Sequence, residues 1–276
     1  MAPTANAAFI VGGKTIDSAL GFSPLDINRY TEAPASKMAS MKFQYEDVQV
    51  IFCDEISMVG SMKLAKINYR LQDLVEGSKK HLFMGGISFV ASGDLWQLPP
   101  IYDNLITDNN HLDGRPDVAP SHWNENFKVY YLTEKMRSSQ DLYFSNLCDR
   151  VARGIDEDEK YLKSRIQPTE SENSNESFKH GNISIIVTTN KKRNLINSQK
   201  LAELLPCKKL YVCNCIDYVK NVPGSHKLPA NVKDNPGRTG NLLTELNLKV
   251  GAPVVITTNH SKQKYREDGI VNGASI

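Results

Sequence analysis

The sequence lacks both a membrane segment and a cysteine framework. No apolar run is long enough to cross a bilayer, and no basic stretch followed by an apolar one stands at its beginning. The five cysteines are an odd, scattered set, and the cluster of Cys207, Cys213 and Cys215 has neither a CxxC pair nor a matching second half. We therefore expect an intracellular protein with reduced thiols, no zinc site and no membrane partner.

Neither sign of charge is in excess. Lysine and arginine number 33 against 31 aspartates and glutamates, which leaves a net charge of +2. The composition therefore shows no basic surface of the kind that marks many nucleic-acid-binding proteins. A protein that moves along a strand needs local, changeable contacts rather than a uniformly positive face, so charge does not exclude that class. The length of 276 residues is enough for two compact units.

The sequence also lacks the G-x-x-x-x-G-K-[ST] loop, whose backbone N–H groups and lysine hold the phosphates of a nucleotide. The nearest glycine–lysine pair, Gly13 and Lys14, has no glycine at the required distance upstream. We therefore expect these 276 residues by themselves to bind nucleotide weakly.

Two short apolar runs are each followed by an acidic residue. Residues 48–53 and 86–92 are β-branched and almost continuously apolar, which predicts strands buried on both faces of a parallel sheet. Residues 61–75 between them carry apolar side chains at helical spacing. The order strand, helix, strand predicts a βαβ unit. Ligands of such sheets bind beyond the carboxyl ends of the strands, where Asp54 and Asp94 stand.

The rest of the chain alternates between apolar and polar stretches without an internal repeat. Its patterns predict, in order, a strand at 128–132, a helix at 140–153, a polar loop at 157–179, a strand at 183–190, a helix at 192–205, a loop at 219–241, and small antiparallel β structure at 246–257 with turns at 269–273.

An apolar strand that ends in Asp-Glu is the Walker B arrangement of nucleotide hydrolases. Asp54 is placed to hold Mg²⁺ on the nucleotide phosphates through water. Glu55 is placed to polarise the water that attacks the γ-phosphate. A solvated strand end is the alternative for an isolated Asp-Glu pair, and the continuation at 56–58 (ISM) makes the match more specific.

A second polar element, GDLWQLPP at residues 93–100, follows the next strand along the chain. The amide of Gln97 can sense a γ-phosphate by gaining or losing a hydrogen bond. Pro99 and Pro100 hold the chain after it in an extended form. The alternative is an ordinary proline-terminated loop, which is disfavoured because the segment follows the Asp-Glu strand by one βα unit.

DEISM, GDLWQLPP and LTEKMR, in this order and spacing, resemble motifs II, III and IV of Pif1-type, RecD-like superfamily 1B DNA helicases. The resemblance implies that Asp54 and Glu55 are the magnesium and base carboxylates and that Gln97 senses the γ-phosphate. It implies that Arg137, just past a predicted strand, is an arginine finger, although most isolated arginines only solvate the surface. ATP and Mg²⁺ are the implied cofactors.

The resemblance also implies the fold class, which is α/β. We expect two incomplete RecA-like P-loop NTPase domains, with parallel sheets flanked by helices, at residues 1–138 and 139–242. Residues 243–276, with LNLKVGAPVV and a later VNG, resemble the start of the family's SH3-like β insertion, which closes over single-stranded DNA.

Residues 2–22 resemble motif Ia of the same family, which contacts single-stranded DNA. Asp17 stands where histidine is usual, and an acid beside a phosphate repels it. For Asn272 and Gly273, a simple turn is the open alternative to a DNA contact. The residues that the resemblance implies as DNA contacts are Pro3, Thr4, Lys14, Thr15, Ser18, Pro99, Pro100, Lys249, Asn259, Asn272 and Gly273.

The resemblance implies an ATP-dependent 5′-3′ DNA helicase that translocates on single-stranded DNA and unwinds forked duplex DNA. A nuclear or mitochondrial location and roles in repair, recombination or telomere maintenance are family associations. In the family the phosphate loop precedes motif Ia and the last motif follows VNG, so we expect this internal fragment to be inactive alone. The sequence does not predict an oligomeric state.

Two other interpretations remain open. The chain is alternatively a decayed copy, derived from a Helitron-type transposon, that binds DNA without hydrolysing ATP. A mononucleotide kinase or another P-loop enzyme is disfavoured, because GDLWQLPP has no role in such an enzyme.

Overall fold

The structure is a computed structural model. It describes residues 1–23, 30–108, 122–136, 141–155, 158–164, 185–204, 209–214, 244–258, 264–265 and 268–274. Arg137, Asn259 and the predicted loop at 219–241 lie outside the described residues. The chain divides into two compact units, of which the first comprises Met1–Asp156 and Thr258–Ala274 and the second includes Glu157–Thr257. The three-part division at 138 and 242 stays a prediction.

Among the described residues, the first unit contains two parallel strands and most of the helices. Its elements are α1 (Ala5–Ile10), α2 (Ile16–Leu20), α3 (Ala35–Tyr45), β1 (Val50–Cys53), a 3₁₀ turn (Ile56–Met58), α4 (Ser61–Leu74), two further 3₁₀ turns (Gly77–His81 and Phe83–Gly86), β2 (Ser88–Ala91), α5 (His122–Asn126) and α6 (Leu142–Ala152). The second unit contains α7 (Glu159–Ser164), α8 (Asn190–Glu203), β3 (Tyr211–Asn214) and β4 (Glu245–Leu248).

The predicted βαβ unit is confirmed. β1 and β2 pair in parallel, with Cys53 opposite Ala91, and α4 lies between them in the chain. The backbone N–H of Asp54 donates to the carbonyl oxygen of Met1 at 3.0 Å, and Ala2 forms a parallel bridge to Thr15. The first residues of the chain therefore run beside β1, on the side away from β2.

The core lies between one face of this small sheet and α4. Ile51 and Cys53 of β1 are buried in one cluster with Leu64, Ile67 and Leu71 of α4. The expectation that these strands are buried on both faces is wrong for the described residues. Side chains alternate along a strand, and only one face meets α4, so the other β1 side chains, Val50 and Phe52, are exposed.

Two predicted strands are absent from the described residues. Residues 128–132 and 185–189 have no regular structure, and Leu132 and Ile186 are almost fully exposed. Their apolar, β-branched composition favours a strand, but a strand also needs a neighbour that satisfies its backbone N–H and C=O groups.

The helices predicted downstream are confirmed to within two residues, as α6 and α8. Both begin at a capping side chain: Asp141 accepts from the N–H of Phe144 at 2.9 Å, and Thr189 accepts from the N–H of Lys192 at 3.3 Å. The expected loop at 157–179 contains α7 instead.

The antiparallel β structure predicted near the end is confirmed for β4, which pairs with β3. The pattern did not reveal β3, because its four residues are all exposed and carry no alternation. No helix among the described residues is both long and apolar enough to span a membrane.

The position of Cys53 leads to a labelling prediction. Burial raises the pKa of its thiol to about 12, whereas Cys148 and Cys213 are exposed. Because the thiolate is the reactive form, we expect iodoacetamide at about pH 8 to modify Cys148 and Cys213 and to leave Cys53 unmodified in the folded chain. Peptide mass spectrometry measures this, and labelling in urea is the control that should expose Cys53. Equal labelling of all three in the folded chain would contradict the buried position.

Candidate functional site

The carboxyl ends of β1 and β2 form the edge at which the predicted catalytic residues lie. The N–H of Ser92 donates to the carbonyl of Cys53 at 2.9 Å, and the N–H of Ile56 donates to the carbonyl of Ser92 at 3.0 Å. These bonds continue the parallel ladder past the ends of both strands. They hold the segment that carries Asp54 and Glu55 beside the segment that leads to Asp94.

A serine orients the carboxylate of Asp54. The Ser92 hydroxyl donates to Asp54 Oδ1 at 2.7 Å, from the adjacent strand end. An ionised carboxylate has about four acceptor sites, so one hydroxyl leaves capacity for water that is bound to a metal ion. Sequence reasoning missed Ser92, and the available signal was its position one residue past β2, level with Asp54 in the strand register.

Glu55 lies in a strained turn. Its backbone is left-handed, with φ 55° and ψ 47°, a conformation that costs roughly 1–2 kcal/mol for a residue with a side chain. Gly93 packs directly against this turn at φ 155°, and a Cβ there would stand 2.8 Å from the backbone nitrogen of Ile56. Strained backbone of this kind clusters at functional sites, and it occurs here at the residue predicted to be the base.

Gln97 is held near the end of β2 by Asp94. The Asp94 carbonyl accepts from the N–H of Gln97 at 3.0 Å, and its carboxylate accepts from the N–H of Trp96 at 3.0 Å and the Gln97 amide at 3.4 Å. Gln97 is therefore at the same edge of the sheet as Asp54. Within the described residues no hydrogen bond joins its side chain to Asp54 or Glu55.

Three of the four residues predicted to bind the nucleotide, Asp54, Glu55 and Gln97, thus belong to one edge of one unit, and the fourth, Arg137, is outside the described residues. In the part of the chain that the structure describes, His, Cys, Asp and Glu form no group of three that could hold a metal ion. The magnesium role of Asp54 stays a prediction.

The two threonines predicted to contact DNA also begin helices. Thr4 Oγ1 accepts from the N–H of Ala7, and Thr15 Oγ1 accepts from the N–H of Ser18, both at 3.3 Å. A threonine hydroxyl that accepts a capping bond still has its own hydrogen to donate. Pro3 is half-buried and Lys14 and Ser18 are exposed, so this segment presents polar groups to solvent.

Asp103 anchors the chain that follows the two prolines. Its carboxylate accepts from the backbone N–H groups of Met62 at 3.2 Å and Lys63 at 3.0 Å, so it caps α4 from a distant loop. The contact is tight, because a Cβ on Gly60 would stand 2.1 Å from Asp103 Cγ. Asp103, directly after residues 99–102, is therefore held beside the first turn of α4.

Two exposed aromatic rings flank Pro99 and Pro100. Trp96 is 71% exposed and Tyr102 is 87% exposed, so both rings lie at the surface of the described first unit. Leu98 and Ile101 are also exposed. These four exposed apolar side chains fall within residues 96–102, a concentration typical of a binding surface.

The first turn of α4 connects this loop with motif Ia. Its backbone binds Asp103, while the side chain of Lys63 forms an ion pair with Asp17 of α2. Lys63 therefore ties Asp17 of the 14–18 segment and Asp103, at the end of the loop, to the first turn of α4. Sequence reasoning missed both Lys63 and Asp103.

The remaining candidates have structural contacts. In the second unit the ammonium of Lys249 donates to the carbonyls of Ala202 and Leu204, at 3.4 and 3.2 Å, and so satisfies the end of α8. In the first unit Asn272 and Gly273 form a turn, and Gly273 has φ 92°. The turn at Asn272 and Gly273 agrees with the turn interpretation. The predicted DNA contacts of Lys249, Asn272 and Gly273 stay predictions.

The model of the PIF1-like helicase family matches residues 1–156, more than half of the chain. The chain belongs to the PIF1-like helicase family. A member from Campylobacter jejuni, the ATP-dependent DNA helicase Pif1, is 30% identical over 288 residues, which cover 97% of this chain.

Solved structures of the family share the fold. Bacteroides sp Pif1 in complex with ADP-AlF4 covers 99% of this chain with a TM-score of 0.58 and 23% identity. Bacteroides Pif1 bound to ssDNA covers 94% with a TM-score of 0.58 and 23% identity. The likeness confirms the predicted α/β class with a parallel sheet and helices. The chain spans 58% of the length of the Campylobacter relative and 57% and 55% of the two Bacteroides chains.

Proposed function

We propose that this chain is part of an ATP-dependent DNA helicase that moves on single-stranded DNA. The observation that carries the proposal is the edge at β1 and β2, where Asp54, Glu55 and the segment from Ser92 to Gln97 meet in a member of the PIF1-like family. The names of the relatives support it, since one is an ATP-dependent DNA helicase and two were solved with a nucleotide analogue or ssDNA.

In this proposal each residue at the edge has a chemical task. Asp54, oriented by Ser92, would hold Mg²⁺ through its water shell, and Glu55 would accept the proton of the water that attacks the γ-phosphate. Gln97 senses the γ-phosphate and Arg137 supplies positive charge to it. When bound, Mg²⁺ neutralises the charge that develops on the transferred phosphoryl group.

The strand-binding surface combines polar and aromatic groups. Lys14, Thr15 and Ser18 supply donors for phosphates, which position a strand without reading its sequence. Trp96 and Tyr102 supply exposed rings on which bases stack. We therefore infer that this surface binds single strands with little sequence preference.

We expect the 276-residue chain to bind a fluorescein-labelled oligo(dT), measured by anisotropy, with an affinity that falls as salt rises. We also expect no DNA-stimulated phosphate release, because the 276 residues contain no phosphate-binding loop. The Glu55→Gln variant is the control, since any release that persists in it comes from a contaminant. Absence of oligo(dT) binding at low salt would refute the strand-binding function. Release at ordinary helicase rates that Glu55→Gln abolishes would refute the expected inactivity.

The second candidate is a decayed transposon-derived module that binds DNA without turnover, because the 276 residues contain no G-x-x-x-x-G-K-[ST] loop. The nucleotide sequence upstream of the Met1 codon distinguishes the two. An in-frame phosphate loop supports the helicase, and stop codons support decay. The 5′-3′ direction, the preference for forks, the pathway and the nuclear or mitochondrial location stay predictions.

A further inference from the structure

Lys63 and Asp17 form an ion pair beside the proposed strand-binding surface. The Lys63 ammonium contacts Asp17 Oδ1, and it lies 5.1 Å from the centre of the Phe22 ring. The pair is open to solvent, with 29% of the Lys63 side chain and 49% of the Asp17 side chain exposed. Both charges are therefore within reach of a ligand that arrives from solution.

The pair lies between the two segments proposed to contact a strand. Asp17 is in the first turn of α2, next to Thr15 and Ser18. The backbone N–H of Lys63 is bound by Asp103, which follows the exposed ring of Tyr102 directly. Lys63 therefore contacts the first segment through its ammonium and the end of the second through its backbone N–H.

We propose that Lys63 is a further residue that contacts a phosphate of the strand, and that Asp17 weakens this contact by pairing with the Lys63 ammonium. This inference rests on the proposed function. An exposed ion pair contributes at most about 1 kcal/mol, so a phosphate can replace the carboxylate at the ammonium. The Phe22 ring keeps the ammonium near the surface by a cation–π contact while the partner changes.

The test measures oligo(dT) affinity by anisotropy across a salt series for wild type, Asp17→Asn, Lys63→Gln and the double variant. We expect Asp17→Asn to bind about fivefold more tightly, because one charge that repels the phosphate at short range is removed. We expect Lys63→Gln to bind about fivefold more weakly, and its slope of log affinity against log salt to be shallower by up to about 0.7. The double variant should be close to wild type, because its local net charge is the same.

A second ion pair of the same unit provides the matched control. Lys42 and Glu76 form a pair at 2.8 Å just beyond the carboxyl end of α4, about 20 Å from Lys63 along a helix of this length. Glu76→Gln makes the same charge change as Asp17→Asn and should leave affinity and salt slope unchanged. Lys63→Arg keeps the positive charge and should bind as wild type does.

The outcomes separate this inference from the proposed function. If wild type does not bind oligo(dT), the strand-binding function fails and the inference fails with it. If wild type binds, and Asp17→Asn and Lys63→Gln both stay within twofold of it with the same salt slope, only the inference is overturned. Asp17→Asn decides the case alone if circular dichroism shows that Lys63→Gln is unfolded.

Discussion

Replacing Gly93 by alanine is expected to destabilise the first unit by about 2 kcal/mol. The new Cβ would stand 2.8 Å from the backbone nitrogen of Ile56, and the backbone at φ 155° is poorly suited to any side chain. The turn of Glu55 would have to move, and the bond from the Ile56 N–H to Ser92 would lengthen or break. Thermal unfolding followed by circular dichroism should show a midpoint lower by about 4–8 °C.

Gly77→Ala is the control for that result. Gly77 also has a positive φ, of 68°, but a Cβ there would meet nothing within 4 Å. This variant therefore reports the cost of a left-handed backbone without a clash, about 1 kcal/mol. If Gly93→Ala were no more destabilising than Gly77→Ala, the close packing of Gly93 against the Glu55 turn would be contradicted.

Removal of the two exposed rings is expected to have the largest effect on DNA binding. Stacking of a base on an aromatic side chain contributes about 1–3 kcal/mol, so Trp96→Ala and Tyr102→Ala should each weaken oligo(dT) binding about tenfold. The double variant should lose about a hundredfold if the rings act independently. Anisotropy titrations at one fixed salt concentration measure these affinities.

Two variants show whether stacking is the cause. Tyr102→Phe keeps the ring and should bind as wild type does. Phe43→Ala removes another ring that is 81% exposed, on α3, and should not change binding. Equal affinities for wild type and the Trp96→Ala, Tyr102→Ala double variant would rule out these rings as the stacking surface.

The strongly patterned parts of the fold were predictable from sequence. β1, α4 and β2 occur within two residues of their predicted bounds. The two strands are short, nearly continuous apolar runs, and the helix has apolar residues at helical spacing, so each pattern predicts one type of element. Residues 128–132 have the same composition as a strand and yet are not one, since no described neighbour pairs with their backbone. Composition predicts the tendency to form a strand, but pairing decides whether it forms.

The candidate site divides in the same way. The Asp-Glu pair after β1 and the glutamine of GDLWQLPP could be predicted from motifs, because the residues of each motif lie within a few positions of one another. The residues that hold these segments in place, Ser92 and Asp103, could not be predicted in this way. Ser92 reaches Asp54 across 38 residues, and Asp103 reaches the N–H of Met62 across 41.

The sequence alone determined the family, the βαβ unit and the acidic end of its first strand, because local periodicity and motif spacing carry all three. Only the tertiary structure decided that one sheet face is open in the described residues, that Asp103 caps α4 and that Lys63 pairs with Asp17 across 46 residues. Contacts between residues so far apart in the chain depend on how the helices and strands pack, and the periodicity of the sequence does not predict that packing.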